Sequence, residues 1–104
     1  MEPNKAAAIV SDVVLQEEGR NYFFLSDGAV LAVGKVKGHR NTVFVKVKVE
    51  SNAVVIDVWP VDGGRLFAWD IFTHNITDDR LKECAQESLE GVIRLNKWDA
   101  PSRR

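Results

Sequence analysis

The chain is poor in the residues that most quickly announce a chemistry. It carries one cysteine, Cys84. A lone cysteine closes no intrachain disulfide and builds no cysteine-based zinc centre, and it suits a reducing compartment. No apolar run approaches the roughly 18 residues of a membrane span, so no membrane partner is expected. The run Ala6 to Val10 is short, follows Glu2 and Lys5, and is broken by Asp12, unlike the core of a signal peptide. A cytoplasmic protein is the expectation. Glycine is arranged for turns rather than for phosphate. Gly63-Gly64 stands alone, without the spacing or the following helix of a phosphate-binding loop. No zinc-ligand cluster and no nucleophile elbow occurs, so no cofactor, metal or catalytic residue is assigned. Charge of one sign is missing as well. Fourteen basic residues meet 15 acidic ones, a net charge of −1. That balance gives no overall pull toward nucleic acid or anionic lipid, and little repulsion between copies of the chain.

Nothing divides the sequence. It has no repeat, no low-complexity stretch and no linker rich in proline, glycine or serine, which points to a single domain over residues 1–104. Residues 1–5 and 99–104 lack an apolar pattern and are expected to be flexible. Over the whole chain, 45% apolar and 28% charged residues are ordinary globular proportions.

Hydrophobic periodicity then does most of the work. In Thr42 to Glu50, Val43, Val45, Val47 and Val49 fall on one face and Phe44, Lys46, Lys48 and Glu50 on the other. Such alternation predicts a strand with one buried side. Strands are also predicted at Tyr22 to Leu25, Ala29 to Val36, Ala53 to Val61 and Leu66 to Thr73. Turns at Ser26-Asp27-Gly28, Gly38 to Asn41, Ser51-Asn52 and Asp62 to Gly64 join them. Pro60 lacks an N–H and marks a strand end or an edge. Ala6 to Gln16 is ambiguous: its alanines favour helix, and Ile9, Val10, Val13 and Val14 favour a strand from about Ala8 to Leu15. The strand is preferred here.

After Thr73 the period changes to 3.6. Thr77 is a good N-cap, Asp78 and Asp79 suit the positive end of a helix dipole, and Ile76 and Leu81 are placed as a hydrophobic staple. Leu81, Cys84, Ala85, Ser88, Leu89 and Val92 form an apolar stripe. Gly91 reads as a left-handed helix cap, with continuation to Leu95 or a short strand from Val92 to Lys97 as alternatives. The fold class that follows is α+β: one antiparallel meander sheet of five to six strands, packed by one C-terminal helix. Whether the sheet is open or a half-barrel is left undecided.

Function is less legible. Trp59 shares a strand face with Asp57, and Phe44 shares one with Lys46 and Lys48, so these five residues are candidates for an exposed partner-binding face. Charge is segregated as well. Lys35, Lys37, Arg40, Lys46 and Lys48 follow one another with no acid between Lys35 and Lys48. Asp57 to Glu90 holds eight acids against Arg65, Arg80 and Lys82. The expected function is a non-catalytic protein-binding or regulatory module, its partner another protein or a second copy of itself. One alternative is a nucleic-acid-binding domain using Lys35, Lys37, Arg40 and Lys46, with lysines contacting phosphate and an aromatic stacking a base. Another is a small-ligand binder or small enzyme near Asp70 and His74, where an imidazole lies close in sequence to carboxylates. Cys84, on the apolar stripe, reads as a small hydrophobe rather than a nucleophile.

Overall fold

The computed structural model describes residues 1–72 and 76–98, the side chains of 69–72 excepted. Its elements run α1 (Pro3–Val14), β1 (Asn21–Phe24), β2 (Val30–Lys35), β3 (Thr42–Val49), β4 (Ala53–Pro60), β5 (Phe67–Phe72) and α2 (Asp78–Leu95). The strands form one open antiparallel sheet in the order β1-β2-β3-β4-β5, an uninterrupted meander. Short turns make sequence neighbours into spatial neighbours, which is why the order is the chain order.

The valine ladder of β3 points inward as its alternation requires: Val43 and Val45 are wholly buried and Val47 is 1% exposed. The register carries the same face across the sheet through Val30 and Ala32 of β2 and Ile56 and Val58 of β4. Both helices pack on this face and on each other. Their contact stripes are built of small and medium residues, Ala6, Ala7, Val10, Ser11 and Val14 on α1 and Leu81, Cys84, Ala85, Ser88, Leu89 and Val92 on α2. Ser88 Oγ donates to the Cys84 carbonyl at 3.0 Å, closing its own hydrogen-bond need within the helix.

The N-terminal segment is a helix, not the strand expected over Ala8 to Leu15. Pro3 sits in its first turn, where a missing N–H costs nothing. Positions 6, 7, 10, 11 and 14 then bury one helical face, and that burial outweighs the strand preference of the valines. Pro3 to Lys5, expected to be flexible, form the first turn. The sheet therefore has two helices on its inner face, where one was expected. A remnant of extended chain survives where α1 ends. Leu15 bridges Val36, and Gln16 N–H donates to the Lys35 carbonyl at 2.7 Å. Arg20 locks this exit by donating to the Gln16 carbonyl at 2.8 Å, the Leu15 carbonyl at 3.2 Å and the Asp12 carboxylate at 2.7 Å.

The cap of α2 also departs from expectation. Thr77 accepts from the Arg80 N–H at 3.1 Å, as an N-cap should. Gly91 does not end the helix: it lies buried inside it, and the helix runs on to Leu95. The left-handed residue is Lys97, at φ 61°. Around it the Lys97 N–H donates to the Arg94 carbonyl and the Trp98 N–H to the Ile93 carbonyl, the paired bonds of a Schellman motif. Trp98 packs back on the core and stands 6.5 Å from the His39 ring.

Candidate functional site

The inner face of the sheet is roofed by helices. Among the described residues nothing roofs the outer face. Alternation fixes what that face presents. One row crosses all five strands: Phe23, Leu31, Lys46, Asp57 and Ala68 stand side by side. The next row holds Asn21, Val33, Phe44 and Trp59. A solvated sheet face is ordinarily polar. This one sets an aromatic pair, Phe44 and Trp59, beside the charged pair Lys46 and Asp57. Phe44 and Trp59 face each other across β3 and β4 with ring centroids 5.2 Å apart and planes tilted by 35°, a favourable arrangement for an aromatic pair.

The five residues singled out for partner binding, Trp59, Asp57, Phe44, Lys46 and Lys48, are thus gathered on one side of the sheet. Phe44 lies opposite Trp59, and Lys46 lies opposite Asp57. Beside them is a recess of about 360 Å³ lined by Lys46, Asp57, Trp59, Gly64 and Leu66. Leu66, just before β5, is 52% exposed at its rim.

The electrostatics centre on Asp27, in the β1–β2 turn. Its Oδ1 accepts the Ala29 N–H at 3.0 Å. Its Oδ2 lies 3.3 Å from Lys46 Nζ and 4.0 Å from Lys48 Nζ. The Ala29 N–H, followed by the two lysines, holds the Asp27 carboxyl below its ordinary value. Lys48 Nζ also stands 3.8 Å from the Glu50 carboxylate. The lysines project outward, and they do so toward an acid.

This pairing breaks up the basic ribbon read from Lys35 to Lys48. Lys46 is drawn to Asp27. Lys37 Nζ donates to the Asp12 main-chain carbonyl, at the side of α1. Lys35 closes β2 opposite Thr42, and Arg40 is exposed in the following loop. Of the four residues named for nucleic acid, Lys37 is turned back to α1 and Lys46 to Asp27. Asp70 lies in β5, and His74 falls outside the described residues, so the constellation proposed around them does too. Cys84 is wholly buried on the helix stripe. Among the described residues no three histidine, cysteine, aspartate or glutamate side chains group as a metal site, and no helix is long and apolar enough to cross a membrane.

No family model, no curated protein and no solved structure matches the chain. Its surface has to be read from its own geometry.

Sequence reasoning missed Phe23, Leu31, Val33 and Leu66 as parts of this face. A signal for two of them was present. Val30 to Val33 is apolar without alternation, the pattern of a strand whose two faces are both meant to be covered.

Proposed function

We propose that the chain is a non-catalytic docking module whose bare sheet face seats a segment of another protein around one apolar anchor side chain. The observation that carries this reading is the Phe44–Trp59 pair at the centre of an unroofed face, beside a recess bounded by Trp59 and Leu66. Tryptophan in such a position is the residue type most enriched at binding hot spots, because it offers a large rigid area at small entropic cost. The charged groups favour polypeptide over nucleic acid. Lys46 and Lys48 stand beside Asp27, and Asp57 faces Lys46 across the strands. Acids interleaved with lysines repel a phosphate backbone. They suit a segment that carries both signs of charge or its own main-chain dipoles.

Panning a displayed random-peptide library against the immobilised protein tests the reading. The enriched peptides are expected to share one aliphatic or aromatic anchor and to perturb tryptophan fluorescence. They should bind Trp59→Ala at least tenfold more weakly, while that variant keeps its circular dichroism spectrum. Because the face carries both signs, their affinity should change little between low and physiological salt. No enrichment, or peptides indifferent to both Trp59→Ala and Lys46→Glu, would reject the docking face. Salt-steep binding of a labelled single-stranded oligonucleotide, weakened by Lys37→Glu and Arg40→Glu, would assign the chain to nucleic acid instead.

A further inference from the structure

We infer that the chain forms a twofold dimer by pairing strand β1 with β1 of a second copy, fusing two five-stranded sheets into one. This concerns the sheet edge and does not depend on the docking face.

β1 reads Asn21-Tyr22-Phe23-Phe24 and is an edge strand. Edge strands are commonly blunted by charge, proline or a bulge, because their open main chain invites pairing. β1 carries no charge and no proline. Its three aromatics are 43%, 52% and 72% exposed at Tyr22, Phe23 and Phe24. The main chain is equally open. The Leu25 N–H donates to the Ala29 carbonyl at 2.9 Å, so Leu25 faces β2. Main-chain direction alternates along an antiparallel strand, which turns the N–H and C=O of Tyr22 and Phe24 away from the sheet. Among the described residues no strand pairs with that side of β1.

A second copy fits this edge in a definite register. Placing the twofold axis at Phe23 sets Tyr22 of each copy opposite Phe24 of the other. Both residues then exchange N–H and C=O, and every outward main-chain group of β1 is bonded. Aromatic meets aromatic at all three positions: Phe23 on Phe23 over the outer face, and Tyr22 on Phe24 twice over the inner. An apolar groove of about 320 Å³, lined by Ala7, Ala8, Tyr22, Phe24 and Val30 with Asn4 at its rim, lies beside the strand and can receive the partner's ring. A net charge of −1 leaves two copies with little repulsion to overcome. Size sets the strength. At about 150–250 Å² per aromatic side chain, the exposed fractions amount to roughly 250–420 Å² per copy. Doubled over two copies, this lies below the area of a standard stable interface, so the dimer is weak and reversible, with monomer dominant at low micromolar concentration.

Sedimentation velocity from a few micromolar to several hundred micromolar should show a monomer–dimer equilibrium. Phe24→Lys, at the most exposed position, should weaken it at least tenfold without changing the circular dichroism spectrum. Trp59→Ala should leave it intact, which separates this surface from the docking face. The register has its own test. Phe23 pairs with itself across the axis at a position where Cα atoms approach to about 4.5 Å, within disulfide range. Phe23→Cys should therefore form a covalent dimer under mild oxidation. Phe24→Cys, which faces Tyr22, should not, and Cys84 is buried and out of reach. A monomer at every concentration would overturn the inference. So would a dimer insensitive to Phe24→Lys, or one that Phe23→Cys fails to cross-link. Dimer loss in Trp59→Ala alone would move self-association to the outer face and overturn it too.

Discussion

Asp27 ties a turn to the surface beside it. Its carboxylate closes the β1–β2 hairpin through the Ala29 N–H and faces Lys46 and Lys48 two strands away. Because these partners favour the ionised form, the folded chain binds this proton less readily than the unfolded chain, whose carboxyl titrates near 3.8. The resulting stability is fully present above that value and is lost as pH falls through the lower, folded one. Asp27→Asn is therefore expected to melt below the parent at neutral pH. The gap should close as the pH drops below about 3.8. Thermal melts from pH 7 to pH 2 measure it; a gap that stays constant to pH 2 would place the contribution in turn geometry instead of charge. That a turn aspartate would sit at Ser26-Asp27-Gly28 was readable from residue type alone. That it would take both lysines of β3 was not, since sequence spacing says nothing of which side chains meet across three strands.

At the scale of elements, what was legible followed from regular alternation. Each of the five strands falls within about two residues of its expected position, and α2 starts at the expected cap, because these signals are local. The errors lie where local signal and tertiary packing disagree. In α1, valines at helical spacing satisfied both templates, and contact with α2 decided between them. In α2, Gly91 looked like a stop because nothing nearby in sequence revealed Phe67. A β-carbon built on Gly91 would stand 2.3 Å from the Phe67 ring, which lies against bare helix backbone at the start of β5. The glycine is a packing device. On propensity alone Gly91→Ala would stabilise the helix by about 1 kcal/mol. The clash reverses the sign, and a net loss of about 1–2 kcal/mol is expected in urea unfolding. Combining it with Phe67→Leu should recover part of that loss, because the two changes share one contact. A stabilised single variant would show that the ring moves aside freely.

At the scale of the whole molecule, the governing fact is that one sheet carries both helices on one face. The valines of β3 foretold an inner face and its opposite. They could not foretell that α1 would join α2 on the same side, leaving Leu31, Val33, Phe44 and Trp59 half-buried on a face that no helix covers; that depends on a helix which local preference read as a strand. The same asymmetry orders local stability. β3 is paired on both sides, and its inward residues are almost wholly buried, so its amides open only when the domain unfolds. β1 is bonded on one side and exposed along its length, so its amides open by fraying. Native-state hydrogen exchange in dilute solution should accordingly give β3 amides an opening free energy equal to the global value from denaturant unfolding. Outward-facing Tyr22 and Phe24 should exchange at nearly unstructured rates, with Phe23, bonded to β2, between the two. Slow exchange at Tyr22 and Phe24 in a dilute monomer would mean that the chain covers its own edge, and the sheet would then have no open side along β1 from which to grow.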